Sequence, residues 1–354
     1  MLINKKKIRK LITIVLIIFI TNNVFARANV ISPYKYVDDL LNATDNEISA
    51  INALNGNYVC ALNDPYQQRY FKANIVKHLN KHVGTITIGS SHFLALSKND
   101  SDIDYYNLAI GAANLKDRLN ILGLIELYDV SFDNLIFEID IPSFIDIAMT
   151  ESKDYAIFHK YGDYFRDLIN ETSVATKPEL DFNETYVNKF KDYSFWDLKK
   201  VYNNFDLPDG TIYYKPDASQ YGYSKEFIKE TVTTEEFNLQ HTSLITETNR
   251  LSSLHINEEY KEIIEKIIKY YIKKNVNITL VITPRPPYLF DDCNMASFPL
   301  IYEINEFVIS LITKYNCNLI GSFNPHDLGI DEDDFMDWLH LEPKVVNEIY
   351  WKMP

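Results

Sequence analysis

Five short apolar runs, separated by segments with helical periodicity, limit the possible folds of this chain more than any other feature. The runs lie at 84–89, 105–111, 134–141, 277–283 and 317–323. The clearest helix covers 257–275, where an apolar stripe opposes a Lys/Glu face, and it leads directly into the fourth run. Further intervening helices are predicted at 114–129 and 299–315. Strands that alternate with helices predict an α/β domain with a central parallel sheet covered on both faces.

One long region, at about 142–250, interrupts this alternation. It contains no strand run as apolar as the other five and many Tyr, Phe, Asp and Lys residues. A connection of this length is too long for a bare loop in a compact domain, so we predict an inserted, mostly helical subdomain. The insertion would begin at the end of the third strand. Because ligands of open α/β sheets bind at the carboxyl ends of strands, we expect it to cover a site.

The first 26 residues read as an export signal. Basic residues within 1–10 precede an apolar run at 11–20, which is shorter than the roughly 20 residues that span a bilayer and fits a secretory signal. Cleavage after Ala26 is the preferred interpretation, and an uncleaved membrane anchor is the alternative. Either one predicts an exported, periplasmic or otherwise extracytoplasmic body. Residues 27–83 are predicted to form an N-terminal helical segment, and 84–354 the α/β domain with its insertion.

Charge and cysteine content exclude some classes of function. The formal net charge of −14 argues against a nucleic-acid partner, because binding to phosphates needs clustered Lys and Arg. Cys60, Cys293 and Cys317 are an odd number and have no zinc-like spacing. A Cys293–Cys317 disulfide is one possibility, and three free, buried cysteines are the favoured interpretation. No metal or cofactor is predicted, since the acidic run at 331–334 lacks the pattern of a calcium loop.

The first apolar run ends at Gly89 and is followed by Ser90, Ser91 and His92. A serine in a tight turn after a strand can expose its hydroxyl while its N–H lies near the unpaired N–H groups of a helix start. That geometry suits both a nucleophile and an oxyanion donor. The same residue types also commonly end a strand and cap a helix, so the motif alone has a purely structural alternative.

A second motif lies near the other end of the chain. Asp337 precedes His340 by three residues, a spacing at which a tight turn or one helical turn brings both side chains to one side. The imidazole could then bond a serine hydroxyl through one nitrogen and the carboxylate through the other, as a serine hydrolase requires. A surface Asp and a capping His are the structural alternative.

Together the stretches TITIGSSH and DWLHLEPKV resemble the first and last blocks of the SGNH superfamily, the GDSL-like esterases and acyltransferases. Ser90 stands where that family has Asp, Ser91 takes the nucleophile position, and Asp337 and His340 match its Asp-x-x-His block. The resemblance covers roughly 84–350 without the insertion, and it implies a three-layer α/β/α, flavodoxin-like fold. The export segment and weak middle blocks are similar to the divergent branch with the lipoteichoic-acid D-alanylation protein and the polysaccharide O-acetylation proteins.

The resemblance also implies an oxyanion hole. The second family block, Asn-x-Gly-x-x-Gly, corresponds to NLAIGAAN, with Asn107 aligned, Ala109 and Ala112 in the glycine positions and Gly111 between them. The N–H groups of Ser91 and of the Gly111–Ala112 segment would then hold the oxyanion.

The third family block departs from the pattern. FEIDIPSF at 137–144 contains no asparagine, which removes the side-chain donor that the family aims at the oxyanion. Losing one such donor typically costs about 2.7–4 kcal/mol of transition-state stabilisation. Either Asn114 or Ser143 compensates, or the enzyme is specialised.

These residues lead to one main hypothesis and one alternative. The main hypothesis is an exported serine esterase or O-acyltransferase that acts on acyl esters of a cell-envelope glycan, with Ser91, His340 and Asp337 as the triad. Arg285, in TPRPPY after the fourth run, could bind an anionic substrate group; a surface arginine in a rigid proline turn is the structural alternative. The alternative function is a non-catalytic envelope protein of the same fold that binds glycan or a membrane acyltransferase partner.

Overall fold

The computed structural model describes residues 50, 53–54, 59–62, 65–97, 104–145, 156–172, 175–179, 211–214, 220–221 and 234–351. All of them belong to one compact unit, Thr44–Pro354. The predicted export signal lies outside the described residues. In chain order the described elements are β1 (Val59–Leu62), α1 (Pro65–His78), β2 (His82–Ile88), β3 (Tyr105–Asn107), α2 (Leu115–Leu127), β4 (Ser131–Ile139), α3 (Ala156–Ile169), β5 (Thr211–Tyr214), β6 (Gln220–Tyr221), α4 (Thr234–Leu251), α5 (Glu258–Lys273), β7 (Asn277–Ile282), α6 (Pro287–Asp291), α7 (Pro299–Tyr315), β8 (Asn318–Gly321) and α8 (Pro343–Tyr350).

The central sheet has five strands in the order β3-β2-β4-β7-β8, and every neighbouring pair is parallel. Each of the five predicted runs supplies one strand, which confirms the predicted α/β class. The run at 105–111 forms a shorter strand than predicted. It ends at Asn107, and a turn follows in which the Ala113 N–H donates to the carbonyl of Ile110. The architecture is compatible with a flavodoxin-like fold.

The two faces of the sheet contact different hydrophobic clusters. On β4, Leu135 and Phe137 belong to the larger cluster, whereas Ile136 between them belongs to the smaller one. On β7, Leu280 and Val281 divide in the same way. Because successive side chains of a strand point to opposite faces, these central strands are buried on both sides, which is why their sequences are almost continuously apolar.

The helices begin and end close to their predicted limits. The side chain of Asn257 caps α5 by accepting from the Glu259 N–H, and the predicted stripe of α5 is buried, including Ile264 and Ile267. Helix α2 packs closely on α3, because a Cβ at Gly123 would lie 2.0 Å from the carbonyl oxygen of Tyr161.

The segment before residue 84 and the insertion both differ in part from expectation. Helix α1 places Phe71 and Ile75 in the larger cluster, so the core extends beyond the predicted boundary at residue 84. The insertion contains the expected helices α3 and α4, but also β5 and β6. Strand β5 pairs antiparallel with β1 on one side and with β6 on the other, which forms a second, three-stranded sheet. Strands of four and two residues do not stand out as apolar runs, which is why they were not predicted.

Cys293 and Cys317 are free, so the possible disulfide between them does not form. Burial raises the pKa of the Cys317 thiol to about 11 and, together with the charge of Asp292, also raises that of Cys293. Both side chains pack against the larger cluster but are only partly buried, so they are free as predicted but less buried than predicted; the side chain of Cys60 lies outside the described residues. Within the described ranges, no helix is long and apolar enough to span a membrane.

Candidate active site

The serine turn, residues 89–93, follows β2 at the carboxyl end of the sheet. Ser90 is extended, and Ser91 begins a 3₁₀ turn in which the N–H of Phe93 donates to the carbonyl of Ser90 and the N–H of Leu94 to that of Ser91. The hydroxyl of Ser91 is partly exposed, whereas Ser90 is buried. The two adjacent serines therefore occupy different environments.

Asn107 fixes the serine turn against the neighbouring strand. Its side-chain amide donates to the carbonyl of Phe93 at 2.7 Å and to that of Leu96 at 2.8 Å, and its oxygen accepts from the Ala109 N–H at 2.9 Å. The residue is fully buried, so these bonds are shielded from water. Asn107 thereby joins the first two sequence blocks.

The Asp–His turn, residues 335–341, lies beyond β8. It is closed by a hydrogen bond of 2.8 Å from the Met336 N–H to the carbonyl of His340. One carboxylate oxygen of Asp337 accepts from the N–H of Leu339 at 2.7 Å and from that of His340 at 2.6 Å. The short aspartate side chain thus shapes the turn and leaves its other oxygen for the imidazole.

The two turns meet at the imidazole. His340 Nε2 lies 2.8 Å from Ser91 Oγ, and His340 Nδ1 lies 2.8 Å from Asp337 Oδ2. The three residues predicted as a triad are thus in direct contact, although Ser91 and His340 are 249 positions apart in the chain. The side chain of Asp337 is 4% exposed and that of His340 is 20% exposed.

The electrostatics of the three residues determine which nitrogen of His340 carries the proton. Burial raises the pKa of Asp337, but the charge of His340 and the hydrogen bonds from His340 and Leu339 outweigh it, so the pKa lies below its usual value. An ionised carboxylate only accepts hydrogen bonds. His340 Nδ1 therefore carries the proton, and Nε2 is left to accept from the hydroxyl of Ser91.

Behind the serine turn lies a buried carboxylate cluster formed by Arg118, Glu138 and Asp140. Arg118 lies 3.1 Å from a carboxylate oxygen of Glu138 and 2.8 Å from one of Asp140. Glu138 also accepts from the N–H and the hydroxyl of Ser90 and from the hydroxyl of Thr283. Burial, followed by the charge of Asp140, raises the pKa of Glu138 to about 7, against the opposing effect of Arg118.

This cluster was not predicted from the sequence. The available signal was the presence of two acidic residues, Glu138 and Asp140, within and just after an otherwise apolar strand. The cluster also explains why a glycine follows β2. A Cβ at Gly89 would lie 2.9 Å from a carboxylate oxygen of Glu138. Any larger residue would push that carboxylate away from the serine turn.

Two of the predicted oxyanion donors already have partners. The N–H of Gly111 donates to the side-chain oxygen of Gln68 at 2.6 Å. The side chain of Asn114 caps α2, with its oxygen accepting from the Asp117 N–H at 3.2 Å. The Asn114 N–H in turn donates to the carboxylate of Asp117 at 3.3 Å, so both residues have structural roles. The cap at Asn114 has a local sequence signal, whereas the partner of Gly111 could not be predicted because Gln68 lies in a helix before the first family block.

Of the remaining candidate oxyanion donors, one is already hydrogen-bonded and two are not. The hydroxyl of Ser143 donates to Asp140, and the residue is fully buried, so it serves the carboxylate cluster. The N–H groups of Ser91 and Ala112 donate no hydrogen bond within the described part of the chain. The loop with Ala112 lies beside the serine turn, since the Ile110 N–H donates to the carbonyl of Gly89 at 3.0 Å.

Arg285 is buried, with 7% exposure, and is not the surface arginine of the structural alternative. Its Nη1 lies 3.2 Å from Nε2 of His92, whose ring centroid is 5.1 Å from that of His340. Burial, followed by the charges of Arg285, His340 and Arg118, holds the pKa of His92 well below its usual value. Since a guanidinium only donates, Nε2 of the neutral imidazole accepts and Nδ1 carries the proton. The sequence had given His92 no role.

In the described part of the insertion, His241 contacts this region. The ring of His241, on α4, lies 4.1 Å from the ring of Tyr288 on α6. The hydroxyl of Tyr288 donates to the carbonyl of Trp338, inside the Asp–His turn, at 2.8 Å. The insertion therefore contacts a residue that holds the Asp–His turn.

Comparisons with known protein families and with curated proteins found no match for this chain. Within the described ranges, no group of three or more His, Cys, Asp or Glu side chains is arranged to hold a metal ion.

Proposed function

We propose that this protein is a serine-dependent acyl-transfer enzyme with Ser91 as its nucleophile. The observation that carries the proposal is the continuous chain of hydrogen bonds from Asp337 through His340 to Ser91. A nucleophile, a base and a group that orients the base are the three parts that such chemistry needs, and the contacts of 2.8 Å are those of working hydrogen bonds.

The reaction follows from this arrangement. Ser91 Oγ attacks the carbonyl carbon of an ester while its proton passes to His340 Nε2, and Asp337 stabilises the imidazolium that forms. When the tetrahedral intermediate collapses, His340 gives the proton to the leaving alcohol, and the acyl group remains on Ser91. Water or a sugar hydroxyl then attacks the acyl-enzyme and gives its proton to His340. When the ester bond to Ser91 breaks, His340 passes that proton to Ser91 Oγ. Water as acceptor makes the enzyme an esterase, and a sugar hydroxyl makes it an O-acyltransferase.

The oxyanion is held by the N–H groups of Ser91 and Ala112 in this proposal. Ala112 supports it in a second way, because its backbone has a φ of 53°, in the left-handed region that glycine adopts freely. The SGNH pattern has a glycine at the position that Ala112 matches. Side chains other than glycine in this region cost roughly 1–3 kcal/mol, and such strain clusters at functional sites.

We assign the enzyme to the SGNH superfamily, in the branch similar to the lipoteichoic-acid D-alanylation and polysaccharide O-acetylation proteins. The support is the order of the motifs, with the serine after the first sheet strand and Asp-x-x-His near the end of the chain, and a parallel sheet compatible with the fold. The proposed substrate is an acyl ester of a cell-envelope glycan, reached through export by residues 1–26. A membrane acyltransferase is the proposed partner for the transferase reaction.

Labelling with a fluorophosphonate probe tests the nucleophile. The parent and a Ser252→Ala control, which removes an exposed hydroxyl, are expected to label, and Ser91→Ala is expected not to. Equal labelling of parent and Ser91→Ala would show that Ser91 is not the nucleophile. A parent that neither labels nor cleaves acyl esters but binds glycan would instead support the non-catalytic alternative.

Two further measurements test the acyl acceptor and the export of the protein. Incubation of the acyl-enzyme with and without glycan acceptors separates the esterase from the transferase, because only a transferase yields acylated glycan. N-terminal sequencing of the protein from the cell envelope tests export, and a protein retained in the cytoplasm would contradict it.

A further inference from the structure

Three arginines are buried in the described part of the chain: Arg69, Arg118 and Arg285. Arg69 pairs with Asp117, and Arg118 pairs with Glu138 and Asp140. The guanidinium of Arg285 has no carboxylate within 4.0 Å among the described residues, and its one side-chain hydrogen bond there goes to a neutral imidazole. Buried charges are usually paired, so a buried guanidinium without an anion suggests that the anion comes from outside.

The free donors of Arg285 form one edge of its planar group. Nη1 bonds to His92, whereas Nε is buried with no hydrogen-bond partner and Nη2 donates to no described residue. Nε and Nη2 point to the same side of a guanidinium and can hold two oxygens of one carboxylate or phosphate. Arg69 shows this pairing within the same protein, with Nε 2.7 Å and Nη2 2.6 Å from the two carboxylate oxygens of Asp117.

The guanidinium of Arg285 lies next to the proposed catalytic residues. The guanidinium contacts His92, which directly follows Ser91, and the ring of His92 faces that of His340. The contact with His92 limits rotation of the guanidinium, so the orientation of the free edge is fixed before a ligand binds. A substrate whose ester reaches Ser91 would therefore place a neighbouring group near Arg285.

Burial lowers the pKa of Arg285, and nearby carboxylates oppose that effect without using its donors. Asp140, Glu138 and Glu247 all act on the guanidinium at longer range. The first two bind Arg118, and Glu247 is exposed on α4, at the insertion. The positive charge is thus partly balanced, while Nε and Nη2 keep no hydrogen-bond partner among the described residues.

We propose that Arg285, held by His92, binds an anionic oxygen group, a carboxylate or a phosphate, on the substrate of the acyl-transfer reaction. This inference rests on the proposed function and narrows its substrate class from acylated glycans to anionic ones. The shared chemistry is a pair of charged oxygens within reach of one guanidinium edge, and the two sources are distinguished by experiment.

Three matched esters test the proposal. Methyl glucoside, methyl glucuronide and methyl glucoside 6-phosphate each carry one acetyl group at the same position and differ only in the group at carbon 6. The parent is expected to favour one or both anionic esters in kcat/KM. Arg285→Gln is expected to reduce that preference by about 10- to 100-fold, mainly through KM, because a hydrogen-bonded ion pair is lost.

Control variants separate binding from structural damage. Arg250→Gln removes the same charge from an exposed position on α4 and should keep the preference of the parent. His92→Gln retains an acceptor for Arg285 and should keep more of the preference than His92→Leu. A parent without preference, or an Arg285→Gln variant that loses activity equally on all three esters, would overturn the proposal.

A direct binding measurement tests the anionic subsite separately from the proposed acyl-transfer activity. Unacetylated methyl glucuronide and methyl glucoside 6-phosphate are titrated into the parent and into Arg285→Gln, with methyl glucoside as the neutral probe, and chemical shifts are followed by NMR. Saturable binding of an anionic probe that Arg285→Gln weakens supports the subsite even if no ester is cleaved. Cleavage of esters without such binding or preference would leave acyl transfer intact and reject the subsite.

Discussion

Ser90 and Ser91 are neighbours in the chain, yet their hydroxyls belong to two different networks. Ser91 Oγ lies 2.8 Å from an imidazole that is partly exposed. Ser90 Oγ lies 3.1 Å from the buried carboxylate of Glu138, which also holds the Ser90 N–H. Ser91 is partly exposed, and Ser90 is buried in the interior.

The difference shows what each network can do. An imidazole can take up a proton from Ser91 and return it to a leaving group, and the substrate can approach that oxygen. Glu138 is shared by Ser90, Thr283 and Arg118 in the interior, where a reacting ester cannot enter. The carboxylate therefore acts as an anchor that fixes the position of the serine turn. We call the bonds of Ser91, His340 and Asp337 the outer network, and those of Ser90, Glu138 and Arg118 the inner network. In the proposed function, catalysis takes place in the outer network, and the inner network fixes its geometry.

Asp337→Asn gives the largest expected effect, on the outer network alone. An amide at this position can donate to the imidazole and favours the wrong tautomer, so kcat should fall about 10³- to 10⁴-fold while folding is largely retained. Ester turnover and urea unfolding measure the two quantities. Asp133→Asn is the control, since Asp133 lies at the opposite, amino end of β4. Activity within tenfold of the parent would contradict the assigned role of Asp337.

Arg118→Met tests the inner network. Removing this guanidinium leaves Glu138 and Asp140 without their cation, so we expect the free energy of unfolding to fall by about 3–5 kcal/mol. Arg285→Met is the matched control: it removes a buried arginine without an ion pair and should cost only about 1 kcal/mol. Urea unfolding of both variants measures the two losses in the free energy of unfolding. Equal losses would mean that Arg285 is also a structural cation.

Glu138 gives the inner network a pH dependence. Its pKa rises on folding from 4.5 to about 7, so the folded state holds the proton more tightly than the unfolded chain. The stabilisation is fully present below pH 4.5 and is lost as the pH rises towards 7, by roughly 3 kcal/mol in total. Urea unfolding between pH 5 and 8 should show this decline in the parent and a flatter profile in Glu138→Gln. Parallel profiles would exclude Glu138 as its source.

The sequence was a better guide to the outer network than to the inner one. The apolar runs predicted the five sheet strands, because strands buried on both faces leave a continuous signal. Ser91, Asp337 and His340 were found because their residue types and local spacings match known chemistry. Each of those signals is contained in a short stretch of chain.

The inner network has no such local signal. Glu138 gains its role from Arg118 and Ser90, which meet it only after the strands pair. The partner of the Gly111 N–H, Gln68, lies 43 positions earlier in the chain. A motif records which residue types stand together, whereas the use of a donor or a charge depends on contacts between distant segments.

Ser90→Ala is the smallest and sharpest test, because it changes the neighbour of the nucleophile by one hydroxyl. The bond of 3.1 Å to Glu138 is lost, but the N–H of residue 90 can still donate to the same carboxylate. We expect the free energy of unfolding to fall by about 1 kcal/mol and probe labelling to stay within a few-fold of the parent. Ser91→Ala should show the reverse, with unchanged stability and no labelling. If Ser90→Ala also abolished labelling without unfolding the protein, Ser90 would take part in the chemistry, and the division between the two networks would be wrong.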